Sequence, residues 1–231
     1  MKLPRTVPVA LLITAPILAS LLLPKLVPAY PGGTRFAKAM ISYGGVTLLS
    51  VGAMATFGDG RWGDFGFRKI AGPWWRLALY GLLLGTASGI IIKLGPGKSL
   101  DETFKSFAPG RLPLFLLVAS LVEELCMRGW LQGFLEPLRP RVVKLGPVRV
   151  SVPVLTGALV FGAWHLPALS FDVWTGANMV VFTTLLGALA GTGRERTGSL
   201  VPAIATHVAG NLGGIVAGIL TMIVTGKVPQ G

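Results

Sequence analysis

The chain has 231 residues, of which 52% are hydrophobic and only 13% charged, with 21 Lys and Arg against 9 Asp and Glu. Soluble domains carry about 25% charged residues, so this composition argues against one and for a polytopic α-helical membrane protein. The net charge of +12 does not mark a nucleic-acid binder, because the bases sit in short connections between apolar runs, where membrane proteins concentrate them.

Apolar runs read as seven spans, with six to eight compatible, at roughly 7–28, 38–57, 74–94, 112–135, 152–170, 174–192 and 200–225. The expected fold is an all-α, polytopic transmembrane helical bundle forming one membrane-embedded domain over 1–231. The short alternating segments of a β-barrel are missing. Lys2 and Arg5 precede the first run as in a signal peptide. That run is long, other spans follow it, and it has no small-x-small cleavage site, so an uncleaved span containing Pro8, Pro16 and Pro24 is expected.

Residues 58–73 mix Gly, charge and aromatics and read as a loop or interfacial segment. Trp74, Trp75 and Trp130 read as interfacial anchors, and Gly210, Gly213, Gly214 and Gly218 as a close-packing helix face. Residues 136–151 form the most basic connection. Alternation of the spans puts the N-terminal tail and the loops 58–73, 136–151 and 193–199 on one side. That side is the richer in Lys and Arg, which gives a cytoplasmic N-terminus in a prokaryotic cell membrane. The single cysteine, Cys126, excludes an internal disulfide.

Three polar clusters interrupt the apolar spans. The first is Glu123-Glu124-Leu-Cys-Met-Arg128, and a charge at the bilayer centre costs at least about 2.5–3.5 kcal/mol. At i, i+4, Glu124 and Arg128 share a helix face, whereas Glu123 points about 100° away from Glu124 and must meet something else. The second cluster runs from Phe161 to His165 and the third is His207-Val-Ala-Gly-Asn211, again at i, i+4. Rise arithmetic puts Glu123, His165, His207 and Asn211 about 18, 20, 11 and 17 Å from one face, which permits a shared cavity.

Several chemistries fit these residues. Polar glue between helices and a proton or ion relay are two. Zinc held by His165, His207 and a glutamate is a third, and Cys126 with a histidine and Asn211 in a papain-like set a fourth. Gly-x-Ser-x-Gly and His-Glu-x-x-His are both missing. A metal-free, cofactor-free hydrolysis, with a glutamate activating water, gives the costly acids a task.

The order Glu-Glu-x-x-x-Arg, Phe-x-x-x-His, His-x-x-x-Asn in successive spans resembles the CPBP family of CAAX proteases and bacteriocin-processing (Abi) proteins. The resemblance covers a catalytic motif core at about 110–215. It implies a glutamate-dependent intramembrane endopeptidase in which Glu123, aided by His165, activates water. His207 and Asn211 would then stabilise the oxyanion, and Glu124 and Arg128 would hold the site, while the i, i+4 spacing itself lets Phe161 fix the His165 ring by packing. It implies partners too: the lipid bilayer and a membrane-anchored or lipidated protein or peptide cut near its terminus, but no nucleic acid. Some relatives act as non-catalytic scaffolds or immunity proteins, and that reading stands beside the enzymatic one.

Overall fold

The computed structural model describes residues 35–70, 72–96, 111–170 and 172–226. Its helices are α1 (Arg35–Phe57), α2 (Trp75–Leu94), α3 (Arg111–Glu124), α4 (Val152–Trp164), α5 (Val173–Thr197) and α6 (Val201–Thr225). Beyond Glu124, α3 widens into a π-helical stretch, Leu125–Leu131, and closes with an α turn, Gln132–Phe134. The all-α, polytopic expectation holds. Among the described residues five helices are long and apolar enough to cross a membrane. The run from α3 through the π stretch makes a sixth only if its buried charges are tolerated. Seven spans were expected, and the one at 7–28 lies outside the described residues.

Helix ends follow local chemistry. Ser151 caps α4 by accepting from the Val154 N–H at 3.4 Å, with Pro153 in the first turn. Asp172 caps α5, accepting from the N–H groups of Trp174 and Thr175 at 3.2 and 3.3 Å. Gly198 ends that helix in the left-handed conformation, at φ +69°.

A glycine crossing seats α6 against α2. A methyl group at Gly81 would run into the Thr206 carbonyl, at Gly85 into the Gly210 carbonyl, and at Gly213 into the Leu82 carbonyl. Backbones this close gain dispersion energy where lipid supplies no hydrophobic drive. The packing role expected of Gly210 and Gly213 is therefore real. Gly214 meets nothing within 4 Å, and Gly218 meets only the Lys93 side chain at 3.6 Å.

Three features refine the sequence reading. Residues 58–70 form the expected loop, and a 3-10 turn within it, Trp62–Phe65, drives Phe65 into the core, edge-on to Phe134 with ring centroids 5.1 Å apart. Trp130 is not an interfacial anchor. It belongs to the π stretch, which neighbouring elements cover from Cys126 onward, and only 6% of it is exposed. Trp75 does stand exposed, with the Arg76 guanidinium 5.5 Å from its ring. The basic connection folds into a β-hairpin, β1 (Val142–Leu145) paired antiparallel with β2 (Val148–Ser151).

One end of the bundle is laced together by polar contacts. Arg194 of α5 bonds Glu136 at 2.6 Å and the Asp64 carbonyl, Arg139 donates to the Glu195 carbonyl at 3.1 Å, and the Leu200 N–H donates to the Gly66 carbonyl at 2.9 Å. These contacts gather the loops 58–73, 136–151 and 193–199 at one end, as span alternation requires.

Candidate active site

Ser120, Glu124, Arg128 and Gln132 recur every fourth residue through α3 and the π stretch, and all four are fully buried. In an α-helix that spacing drifts by about 40° per step. The wider π turns, closed by i→i+5 bonds, reverse the drift, so the four stay on one side. Ser120 and Glu124 meet α6, Arg128 meets α4 and Gln132 meets α5. Asn211 Nδ2 of α6 donates to Ser120 Oγ at 2.9 Å, and Gln132 Nε2 donates to the Gly191 carbonyl of α5 at 3.0 Å. Arg128 Nη1 donates to Glu124 Oε1 at 2.9 Å, the ion pair expected from helix geometry. Its guanidinium carbon lies 4.9 Å from the centre of the Phe161 ring. Gly187 leaves room for it: a methyl there would come within 2.8 Å of Arg128 Nη2 and 3.0 Å of Ala158 Cα.

Glu124 Oε1 is also 2.9 Å from His207 Nδ1. A carboxylate oxygen that already accepts from arginine carries no proton, so the hydrogen lies on Nδ1. His207 Nε2 is then the ring atom free to work, and it lies 3.7 Å from Glu123 Oε2. Glu123 is 8% exposed, and its other oxygen accepts from the Tyr43 hydroxyl of α1 at 3.0 Å. Phe161 is edge-on to both imidazoles, at 5.0 Å from His165 and 5.4 Å from His207. His165 is not mid-helix as its apolar run implied. It caps the C-terminal end of α4, half-buried, with Nδ1 2.9 Å from the Phe161 carbonyl. Since a carbonyl only accepts, that bond again puts the hydrogen on Nδ1 and leaves Nε2 open.

Direct contacts therefore join Glu123, Glu124, Arg128, Phe161 and His207. His165 reaches the cluster through Phe161, whereas Asn211 bonds Ser120, one turn before Glu124 on α3. Tyr43, Ser120, Gln132 and Gly187 were not singled out from the sequence. Ser120 and Gln132 were within reach, because they extend the four-residue spacing of Glu124 and Arg128 in both directions. Tyr43 comes from another helix, 80 residues from Glu123, and no local spacing marks it.

The competing chemistries fare differently. Among the described residues no three His, Cys, Asp or Glu side chains are grouped to hold a metal ion. Cys126 has no exposed surface and lies in the apolar core with Val46, Met54 and Phe134, so a substrate carbonyl has no path to its sulfur.

Residues 105–213 match the family model described as type II CAAX prenyl endopeptidase Rce1-like. This core is similar to a CAAX protease domain. It spans all three polar clusters, from Glu123 to Asn211. Neither a curated protein nor a solved structure matches the chain. The five long apolar helices mark an integral membrane protein, and its segment 105–213 is similar to a family of CAAX-type endopeptidases that act on prenylated, membrane-associated substrates. The CAAX protease match begins after α1 and α2, so Tyr43 lies outside it.

Proposed function

We propose that this protein is a glutamic intramembrane endopeptidase that cuts a membrane-associated or lipidated protein or peptide near its terminus. Glu123 Oε2 removes a proton from water, and the resulting hydroxide adds to the scissile carbonyl carbon. His165, with Nε2 unprotonated, helps orient that water. The carbonyl π electrons move onto oxygen, and two donors receive the charge. They are Asn211, whose amide keeps a second N–H beyond its bond to Ser120, and His207, through Nε2–H of the doubly protonated ring. Glu124 supplies the countercharge behind His207, and Arg128 with Phe161 holds Glu124 and the imidazoles in place. Collapse breaks the C–N bond, and the proton on Glu123 passes to the leaving nitrogen.

The observation that carries this reading is the unbroken line of contacts Glu123–His207–Glu124–Arg128, buried inside the segment that matches the CAAX protease family. The site would work in a prokaryotic cell membrane with the N-terminus, and the basic end of the bundle, in the cytoplasm. Comparative mass spectrometry of membrane-protein termini, in cells carrying wild type or Glu123→Gln, tests the reading. The expected result is at least one terminus formed only by wild type, with equal accumulation of both proteins. Identical termini in the two strains refute the enzyme and favour a scaffold built on the same polar network.

A further inference from the structure

The site as matched is incomplete without α1. Glu123 has two carboxylate oxygens and the structure gives them different partners: Oε2 faces His207 Nε2 at 3.7 Å, whereas Oε1 accepts the Tyr43 hydroxyl at 3.0 Å. Tyr43 is not loosely placed. Its ring lies against Phe115 with centroids 5.9 Å apart at an interplanar angle of 49°. Phe115 stands eight residues before Glu123 on the same helix, so α3 carries both the acid and the ring that seats its partner. In the next turn of α1, Thr47 bonds back to the Tyr43 carbonyl at 2.8 Å. A phenol donating to a carboxylate makes a charge-assisted hydrogen bond, stronger than a neutral one.

We infer that Tyr43 is a positioning residue of the proposed hydrolysis: it occupies Glu123 Oε1 so that Oε2 is the oxygen presented to water beside His207. This rests on the general-base reading of Glu123 given above. Glutamate has several rotatable bonds, and in an apolar span few groups can fix its last torsion. Without the hydroxyl, the carboxylate turns among rotamers in which neither oxygen faces His207. Tyr43 keeps its proton throughout. The hydrogen taken from water rides on Oε2 and leaves with the amine, and the Tyr43 O–H bond is unchanged at the end of each turnover. A misplacement of about 1 Å costs about a hundredfold in rate, which sets the scale of the expected effect.

The test is a double-mutant cycle on the full chain in proteoliposomes, with Tyr43→Phe, Glu123→Asp and both, using a farnesylated C-terminal peptide as probe. Tyr43→Phe is expected to lower kcat by about ten- to a hundredfold with KM within about twofold. Glu123→Asp withdraws the carboxylate from the hydroxyl, so adding Tyr43→Phe to it should cost less than about threefold. An equal loss in both backgrounds, or a rise in KM alone, makes Tyr43 a packing residue and overturns the inference. An infrared difference spectrum between wild type and Tyr43→Phe needs no turnover. A shifted carboxylate band that vanishes in the Glu123→Gln background supports the contact, and an unchanged band overturns it. If Tyr43→Phe does not accumulate, Phe115→Leu loosens the ring and leaves the hydroxyl, and unchanged kcat there also overturns the inference. Activity retained in Glu123→Gln would defeat the general base itself, an outcome separate from any result at Tyr43.

Discussion

Replacing Arg128 with methionine tests how the bundle tolerates charge at this depth. The guanidinium and the Glu124 carboxylate meet at 2.9 Å with neither side chain exposed. At an effective dielectric of 20, charges about 4 Å apart attract by about 4 kcal/mol, and removing one partner of a buried pair costs about 3–5 kcal/mol because the other charge stays behind. Loss of the guanidinium over Phe161 adds about 0.5–2 kcal/mol. Against a total stability of about 5–15 kcal/mol, Arg128→Met should lower the unfolding midpoint steeply and reduce accumulation. Glu124→Gln combined with Arg128→Met removes both charges, and buried pairs replaced together are often neutral, so most of the loss should return. Turnover should not return, because His207 Nδ1 then has no carboxylate behind it. The assay is denaturant unfolding of wild type, both single variants and the double variant in one detergent, beside peptide hydrolysis. A single-variant cost below about 1 kcal/mol, or a double variant equal to the sum of the singles, would refute the reasoning.

Asn211→Ala removes one of the two proposed oxyanion donors and should lower kcat by about 10²–10³-fold with little change in KM, measured by peptide hydrolysis. Cys126→Ala should keep activity within about threefold while costing on the order of 1 kcal/mol, since the sulfur is a core atom; loss of turnover in a folded variant would revive the cysteine chemistry. Gly85→Ala puts a methyl into the Gly210 carbonyl and should cost about 1–3 kcal/mol, and it should also depress kcat because α6 carries His207 and Asn211 away with it. Unfolding and hydrolysis measured together check that coupling.

What the sequence disclosed follows from what is local. The α-helical spans are written in apolar runs, and the Glu124–Arg128 pair in an i, i+4 spacing that α3 carries just past its end. His207 and Asn211 share a face for the same reason, and the structure puts both toward α3. Non-local partners were not legible. Tyr43 looks like any aromatic residue in an apolar helix until α1 lies against α3. The position of Trp130 was misread because tryptophan near a span end suits the membrane interface, and only the tertiary cover over the π stretch puts it inside. The hairpin was legible and passed over: Lys144 between Val143 and Leu145, and Arg149 between Val148 and Val150, give the alternation of paired strands around a turn at Gly146.

The π stretch and the glycine crossing answer one physical demand. Charges held away from water must be met by donors and acceptors of the protein, and those groups sit on helices whose side chains would ordinarily keep the backbones well apart. Glycine removes the obstruction. At Gly81, Gly85 and Gly213 it lets α6 close on α2, and at Gly187 it makes room for the Arg128 guanidinium. The π turns act on the other side of the same contact by keeping Ser120, Glu124, Arg128 and Gln132 in one line. With every member of that line engaged by α4, α5 or α6, Glu124 is held between Arg128 and His207. Glu123, one residue earlier and about 100° around the helix, is left outside that closed set. Adjacent acids thus acquire different surroundings from a single step in helix phase: Glu124 is closed in by Arg128 and His207 Nδ1, and Glu123 lies between the Tyr43 hydroxyl and His207 Nε2.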